Sequence, residues 1–363
     1  MSSGRSFFFG NMNSSRHLPS IVVFSGNPPG WRWFAPDTQD SVNWIFYSEE
    51  PETWLERKIS KPKLSRIFGA FRSVRRAQRE SADAIAAHSQ FNTFWCAVAL
   101  RLLRARVPLL SFSFHFPRLP RGARKALLQW ALQRVERFTV HSEPERERYA
   151  RHFELPVERF ELIRWGVRPS TVEGATESPV SGRYICAIGK DGRDYATLIR
   201  AMERLPDVTL VVVAQPWNLS GVAIPDNVKV YCNIPSDLAT GILRGCVFMA
   251  LPLESGETSC GHITIVSAMF CRKAIVATDS SGIADYFPEG YEAPRVRAGD
   301  VNGWVQAIRK MMADPDCVER CGAIGEGFAH RCCSHEVTCR NTMEVFRRAG
   351  LPVAEESALA ECR

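Results

Sequence analysis

The sequence predicts an α/β protein with two doubly wound, Rossmann-like domains that face each other across a cleft. Short apolar segments with the composition of buried strands alternate with helical patterns, which is typical of parallel sheets. Residues 169–182, rich in Pro, Ser, Thr, Gly and Glu, interrupt this alternation and have the composition of a linker. The length of 363 residues is enough for two domains that each bury a core.

The first predicted domain, residues 1–168, contains six strand-like segments. In chain order these are IVVFSG, VNWIFY, DAIAAHS, VPLLSFSFHF, RFTVHSE and ELIRWGV. Helical patterns lie between them in WLERKISKPKLSRIFGAFRSVRRAQRE, AVALRLLRA and PERERYARHF. Strands that alternate with helices in this way are expected to form one parallel sheet.

The second predicted domain, residues 183–335, repeats the pattern. Its strands are RYICAIG, VTLVVVAQ, NVKVYC, VFMALPL and KAIVATD, and its helices include DYATLIRAMERL, SDLATGILRGC, HITIVSAMFCR and VNGWVQAIRKMMAD. Residues 336–363 are expected to form a C-terminal helix and tail that pack back on the first domain. Because ligands of doubly wound sheets bind at the carboxyl ends of the strands, we expect the binding site in the cleft.

The net charge of +7 is unevenly distributed. Residues 1–168 carry 27 Lys and Arg against 15 Asp and Glu, whereas the remainder carries 19 against 24. No apolar segment approaches the roughly 20 residues of a membrane-spanning helix, and the first residues lack the apolar core of a secretory signal. We therefore expect no transmembrane helix and a cytoplasmic location.

Twelve cysteines in a long chain without an export signal are expected to remain reduced. A metal site is the alternative for the Cys and His residues near the C-terminus, but they lack the paired spacing of zinc sites, so neutral thiols are favoured. No metal or cofactor is therefore expected. The residues concerned are Cys317, Cys321, His330, Cys332, Cys333, His335 and Cys339.

Two loops of the second domain have the features of anion sites. In YICAIGKDGRDYATLI, a strand ends at Gly189, and Lys190 and Arg193 follow before a helix, which suits a diphosphate. In LPLESGETSCGHITIVSAM, the helix from His262 presents the unpaired N–H groups of its first turn to the cleft. Each loop alone is also compatible with a purely structural turn, whereas the pair in one domain indicates phosphate binding.

The order of these segments resembles the GT-B glycosyltransferases, in particular the large retaining group that uses nucleotide sugars (glycosyl transferases group 1, family 4-like). The resemblance extends over most of residues 137–345. It runs from RFTVHSEPERERYARHFELPVERFELIRWGV through IGKDGRDYATLIRAM and NVKVYCNIPSDLATGILRGC to GHITIVSAMFCRKAIVATDSSGIADYF and GDVNGWVQAI.

The resemblance implies a transfer of sugar from a nucleotide diphosphate sugar, the co-substrate, to a glycan or lipid-linked acceptor in cell-surface polysaccharide or glycolipid biosynthesis. Lys190 and Arg193 match the basic pair that holds the diphosphate and replaces a metal ion. His115, at the end of VPLLSFSFHF, matches a histidine that faces the donor sugar; the alternative is a histidine satisfied within the strand end. The remaining donor-binding positions implied are Gly189, Ile234 at the nucleobase, and Gly261, His262, Ile263 and Thr264 at the helix start.

The chain departs from the family pattern at two positions. Glutamates are usual where Ser259 and Ser267 stand here. Ser267 retains a hydroxyl for the ribose, and Glu254 or Glu257 can reach the sugar from the preceding loop, so Glu257 is assigned a catalytic role with His115. The His262 ring, where glycine is common, is expected to enter the site as an additional donor.

The basic half contains a helical pattern with Ile67, Phe68, Phe71 and Val74 at helical spacing. No acidic residue lies between Lys58 and Arg79, which favours contact with an anionic membrane, and hence a peripheral position at its inner face. A core-facing helix with a solvated face is the alternative, and nucleic acid is disfavoured because no stacking aromatics accompany the run. The residues assigned to membrane or acceptor contact are Arg72, Arg75, Arg76 and Arg79.

Trp31 and Trp33, in the loop NPPGWRWF after the first strand, are candidates for the acceptor pocket, with simple aromatic packing as the alternative. Two other functions remain open at this point. A nucleotide-sugar epimerase would share the architecture and the phosphate site. A non-catalytic scaffold or regulator would retain the fold after loss of both glutamates.

Overall fold

The computed structural model of the protein describes residues 18–26, 32, 35–59, 63–116, 118–257 and 259–353. It contains two six-stranded sheets in which every strand pair is parallel. Helices flank both sheets. The predicted α/β architecture of two doubly wound domains is confirmed.

The first sheet has the strand order β2-β1-β3-β4-β5-β6. Its apolar strands are buried on both faces, which is why they read as continuous apolar runs rather than as alternating patterns. The strands are β1 (Ser20–Ser25), β2 (Asn43–Ser48), β3 (Ala84–His88), β4 (Leu109–Phe112), β5 (Arg137–Val140) and β6 (Phe160–Leu162). The helices are α1 (Ala35–Thr38), α2 (Trp54–Lys58), α3 (Leu64–Arg79), α4 (Gln90–Leu102), α5 (Gly122–Leu132) and α6 (Glu143–Phe153).

The second sheet has the order β12-β11-β10-β7-β8-β9. Its strands are β7 (Ile185–Ile188), β8 (Leu210–Ala214), β9 (Val228–Cys232), β10 (Met249–Leu251), β11 (Ile275–Thr278) and β12 (Arg295–Val296). The helices of this half are α7 (Pro169–Glu173), α8 (Tyr195–Met202), α9 (Ser236–Gly245), α10 (His262–Phe270), α11 (Val301–Ala313) and α12 (Pro315–Cys332), and a 3₁₀ turn spans Ser281–Tyr286. β7 and β10 are neighbours, so the loops that follow them lie side by side.

The last described helix, α13 (His335–Arg348), returns to the first domain. Cys339, Met343 and Phe346 pack into one apolar cluster with residues of β1 and β4. The Phe346 ring lies 5.4 Å from that of Phe112 and 5.7 Å from that of Trp44. The C-terminal helix therefore covers one face of the first sheet.

Several elements differ from the sequence prediction. The long basic stretch forms two helices, α2 and α3, rather than one. The linker contains the short helix α7, whose first residue Pro169 has the fixed φ that suits a helix start. β4 ends at Phe112 because Ser113 adopts a φ of 50°, so His115 lies in the loop beyond the strand. α5 and β12 were not predicted.

The two domains meet at the 3₁₀ turn. The Asp285 carboxylate accepts a hydrogen bond of 2.5 Å from the backbone N–H of Glu143, and the Tyr286 hydroxyl accepts one of 2.9 Å from that of Trp165. His141, which follows β5, has its ring centre 6.0 Å from that of His262 at the start of α10. The carboxyl ends of the two sheets thus face one cleft.

Candidate functional site

Arg193 is the centre of the site in the second domain. Its side chain is 7% exposed and lies between the carboxyl end of β7 and the start of α10. The guanidinium donates to the backbone oxygens of Ile188 (3.3 Å) and Asp191 (2.8 Å) and to the Thr264 hydroxyl (3.4 Å). Across the part of the chain that the structure describes, no carboxylate lies within ion-pair distance of it. Arg193 is therefore a buried cation that has no carboxylate counter-ion among the described residues.

Two glycines make room for this guanidinium. A Cβ at Gly189 would lie 2.5 Å from Arg193 Nη2, and a Cβ at Gly261 would lie 3.1 Å from the same atom. Both glycines also have positive φ values, 128° and 97°, which side chains rarely tolerate. The two loops identified in the sequence therefore enclose one guanidinium, and the structure brings Gly189, Arg193, Gly261 and Thr264 together.

The N-terminus of α10 carries no side-chain cap. Its N-cap residue is Gly261, so the N–H groups of the first turn have no capping side chain among the described residues. Such donors, together with the helix dipole, favour an anion. Ile263 is half exposed beside them. The uncapped helix start and the Arg193 guanidinium thus lie on the same small region of the cleft.

The other predicted donor-binding residues surround this region less closely. Lys190 is exposed, and its carbonyl accepts from the Asn218 side chain at 2.7 Å. Ile234 lies in the loop between β9 and α9, where its side chain packs against the apolar core of the domain. Ser267 is partly buried in the second turn of α10. Their predicted contacts with a nucleotide remain predictions.

The first domain contributes a histidine and a buried carboxylate. His115 Nδ1 lies 2.7 Å from Glu145 Oε1, and about a third of the imidazole is exposed. Glu145, in the first turn of α6, is 3% exposed. Sequence reasoning missed Glu145, although the spacing of Ser142 and Glu145 at a helix start was an available signal, since the Ser142 hydroxyl accepts from the Glu145 N–H.

The His262 ring does not have the environment expected from the sequence. It is 8% exposed, stacks on Tyr286 with ring centres 4.7 Å apart, and donates from Nε2 to the Gly282 carbonyl at 2.9 Å. Burial, and next the neighbouring His141, lower the pKa of His262 to about 4. Nε2 already donates within the protein, and the ring is neutral. The expectation that the His262 ring adds a donor for the ligand is therefore wrong for Nε2.

His141 lies between the two domains with one nitrogen unsatisfied. Nδ1 donates to the Ile163 carbonyl at 2.9 Å, while the buried Nε2 has no hydrogen-bond partner among the described residues. Burial lowers the pKa of His141. A cavity of about 40 Å³ lies beside it, lined also by Trp165 and Thr338, and is too small for a nucleotide.

The loop before α10 is polar and open. Glu254 and Glu257 are exposed, and Glu257 Oε2 lies 3.8 Å from an Arg148 nitrogen on α6 of the other domain. The Ser259 hydroxyl donates to the Gly282 carbonyl at 3.4 Å. Glu257 therefore lies on the rim where the two domains approach each other.

The apolar face of the basic helix α3 is not available to a membrane. Ala70, Val74 and Ala77 are fully buried against the first sheet and α4, and Phe71 packs on the same core. Phe68 is the large apolar side chain of α3 that is exposed. The alternative of a core-facing helix with a polar outer face describes α3 correctly.

Two of the four arginines assigned to membrane contact are paired. Arg72 lies 2.6 Å from the buried Glu56 carboxylate, and Arg76 forms an ion pair with Glu80 one turn along α3. Arg75 and Arg79 are exposed. The predicted membrane contact of Arg72 is therefore corrected. Its acidic partner, Glu56, lies on α2, just before the segment from Lys58 to Arg79 that has no acidic residue.

Most of the C-terminal cysteines are not in disulfides. Ten described cysteines form no disulfide, but Cys332 is disulfide-bonded, which corrects the expectation of reduced thiols at that position. Cys317 and Cys321 lie one turn apart on α12 with their sulfurs 3.9 Å apart.

One described group has the residue types of a metal site: Asp37, His335 and Cys339, with ligand atoms within 4.8 Å of one another. His335 Nε2 lies 2.6 Å from Asp37 Oδ2, a hydrogen-bond distance, and Arg168 also pairs with this carboxylate at 2.5 Å. These contacts link α1, the N-cap residue of α7 and α13.

Trp31 and Trp33, the candidates for the acceptor pocket, lie outside the described residues. None of the described helices is both long enough and apolar enough to span a bilayer.

The two facing α/β domains define the fold class of the protein as GT-B. Residues 44–171 match the family model Glycosyltransferase Family 4, and residues 183–314 match the model Glycosyl transferases group 1. Together these segments span 260 of the 363 residues. The chain belongs to the glycosyltransferases that combine these two domains.

Solved structures have the same fold at low sequence identity. A glycosyltransferase from Rickettsia africae is 11% identical with a TM-score of 0.68, and the match covers 92% of this chain and 99% of that one. Anabaena HepE in complex with UDP and glucose is 16% identical, with a TM-score of 0.68 and coverage of 91% and 100%. A UDP-forming trehalose-phosphate synthase from Burkholderia xenovorans is 14% identical, with a TM-score of 0.70 and coverage of 92% and 100%. No curated protein matches by sequence.

Proposed function

We propose that the protein transfers a sugar from a nucleotide diphosphate sugar to a glycan or lipid-linked acceptor. The buried Arg193 guanidinium carries this proposal. A buried cation without a carboxylate partner is costly unless an anion compensates its charge. The guanidinium lies beside the uncapped start of α10, and the planar group binds phosphate oxygens in a bidentate way.

In this proposal the second domain holds the donor. Arg193, Lys190 and the N–H groups of residues 261–264 bind the diphosphate. As the glycosidic bond breaks, negative charge develops on the departing diphosphate, and the same groups stabilise it without a metal ion. The Ile234 backbone contacts the nucleobase and the Ser267 hydroxyl contacts the ribose.

The first domain and the rim of the cleft act on the sugar. His115 lies in the loop after β4 with part of its ring exposed, and it hydrogen-bonds a sugar hydroxyl in this proposal. Glu257 is 78% exposed and lies opposite Arg148 on α6. Its carboxylate is thus placed to approach the sugar when the two domains close on the donor.

UDP-glucose is the donor to test first, because the HepE structures contain UDP, UDP with glucose, or UDP-glucose. The acceptor belongs to cell-surface polysaccharide or glycolipid biosynthesis, and the anomeric configuration is retained in this proposal. A peripheral position at the inner membrane face would use the exposed Phe68, Arg75 and Arg79 rather than the buried face of α3.

A product assay tests the proposal. The protein is incubated with UDP-glucose and a mixture of lipid-linked and soluble glycans, and products are identified by mass spectrometry and the new linkage by NMR. A hexosylated acceptor with retained configuration is expected, and Arg193→Met should reduce its formation by about tenfold or more. Arg309→Met, on the outer helix α11, is the matched control and should leave the rate unchanged.

The same assay without acceptor separates the alternatives. Conversion of the nucleotide sugar alone would identify an epimerase. Absence of any product with all donors and acceptors, from protein that binds a nucleotide diphosphate, would favour a non-catalytic relative.

A further inference from the structure

Glu145 is surrounded by four hydrogen-bond donors in the interior of the cleft wall. Oε1 lies 2.7 Å from His115 Nδ1 and accepts from the Tyr149 hydroxyl at 2.9 Å. Oε2 accepts from the backbone N–H of His141 at 3.3 Å and from the Ser142 hydroxyl at 3.3 Å. The carboxylate is 3% exposed and so has no surface with which to contact a substrate.

The carboxylate is ionised. Burial by itself would raise the pKa of Glu145, but the hydrogen bond from His115 and the neighbouring imidazoles outweigh burial and lower the pKa to about 2. An ionised carboxylate has no proton to give and accepts hydrogen bonds only. His115 must therefore donate from Nδ1.

This direction of donation determines the other nitrogen of His115. A neutral imidazole has one N–H and one lone pair, so a proton held at Nδ1 leaves the lone pair at Nε2. The loop that carries His115 is held by the same network, since the Tyr149 hydroxyl accepts from the Phe116 N–H at 2.9 Å while it donates to Glu145. Both the tautomer and the position of the ring thus depend on one carboxylate.

We propose that Glu145 is a positioning residue for the transfer reaction, which holds His115 with its proton on Nδ1 and presents Nε2 as the acceptor for a hydroxyl of the bound sugar. This inference rests on the proposed function. Glu145 acts through His115 and does not touch the sugar.

The first test needs no activity. Histidine labelled with ¹⁵N is observed by NMR at alkaline pH, and His115 is assigned by its loss in His115→Asn. The wild-type protein is expected to show His115 protonated at Nδ1. A His115 protonated at Nε2 would overturn the proposal, whatever the enzyme transfers.

The second test uses kinetics. Glu145→Ala should lower kcat by about ten- to a hundredfold, because a displaced His115 loses its alignment with the sugar, while the affinity for UDP stays within about threefold because the diphosphate site is in the other domain. Glu143→Ala is the matched control: the same substitution two residues earlier in α6 removes a partly exposed carboxylate that pairs with Arg146. If Glu145→Ala does not fold, Glu145→Gln is measured in the same way.

A double-mutant cycle separates positioning from simple destabilisation. In a His115→Ala background, Glu145→Ala is expected to lower kcat by less than about twofold, since the residue through which it acts is absent. An equal loss in both backgrounds would contradict the positioning role. A wild-type protein that transfers no sugar would defeat the proposed function, whereas the NMR result would still decide the tautomer of His115.

Discussion

Acidification is expected to destabilise the protein through His262. In the folded chain its ring is buried and stacked on Tyr286, and burial, then His141, lowers the pKa from 6.5 to about 4. In the unfolded chain the imidazole takes up a proton at its ordinary pKa. Between these two values the unfolded state binds more protons, so the free energy of unfolding falls as the pH is lowered.

The size of the effect follows from the two pKa values. The stabilisation is fully present above the unfolded pKa of 6.5 and is lost as the pH falls towards 4. Linkage gives a loss on the order of 3 kcal/mol over the whole window, and about 2 kcal/mol between about pH 7.5 and about pH 5. For a domain of this size, about 2 kcal/mol corresponds to a shift in Tm of about 4–8 °C.

Thermal melts of wild type and His262→Gln at these two pH values measure the effect. Glutamine can still donate to the Gly282 carbonyl but does not titrate. Acid-sensitive groups that do not interact with His262 are common to both proteins and cancel in the comparison. Between the two pH values, the Tm of wild type is expected to fall by about 4–8 °C more than that of the variant. An equal loss in both would refute the assignment of His262 as a buried neutral ring.

Three further predictions concern other parts of the structure. Gly261→Ala should weaken UDP binding in calorimetry by about tenfold, because the added Cβ would press on the Arg193 guanidinium. The control is Gly299→Ala, at a glycine that also has a positive φ, 73°, but no neighbour within 4 Å; it should leave UDP binding unchanged. Asp37→Ala should lower the free energy of unfolding by about 1–3 kcal/mol in a denaturant titration, because a buried imidazole on α13 loses this acceptor; no change would show that α13 is held by its apolar contacts alone. If α3 contacts a membrane, the double variant Arg75→Glu, Arg79→Glu should abolish sedimentation with anionic vesicles, because each basic residue contributes about 1 kcal/mol to membrane binding. Equal sedimentation of variant and wild type would remove that surface from the proposal.

The sheets were predictable because buried parallel strands are short apolar runs, such as IVVFSG and VTLVVVAQ, separated by helical patterns. Local irregularities of the backbone were not predictable from the sequence. The alternation SFSFHF continues through Ser113, and nothing in that pattern shows the positive φ that ends β4 before His115. The strand end therefore depends on the tertiary structure rather than on local propensity.

The proposed diphosphate site was partly predictable from sequence. Gly189, Arg193 and Gly261 could be selected because each loop has glycine or basic residues at a strand end. Their meeting around one guanidinium depends on β7 and β10 being neighbours, which one sequence does not reveal.

The environments of the charged residues were the least predictable feature. In the sequence, Glu145 is one charge among many in PERERYARHF, and its contact with His115 depends on a loop 30 residues earlier that brings His115 to it. The run from Lys58 to Arg79 has no acidic residue, yet Glu56 and Glu80 just outside it pair with Arg72 and Arg76. Local charge counts do not show such partners.

The binding of a nucleoside diphosphate at Arg193 is the central claim, and calorimetry tests it most directly. Wild type and Arg193→Met are titrated with UDP, GDP, ADP and the corresponding nucleosides. At least one diphosphate is expected to bind wild type, about tenfold or more tightly than its nucleoside, and Arg193→Met should remove that advantage of about 1.4 kcal/mol or more. Equal binding of the diphosphate by the variant, or no binding of any diphosphate by wild type, would contradict the account.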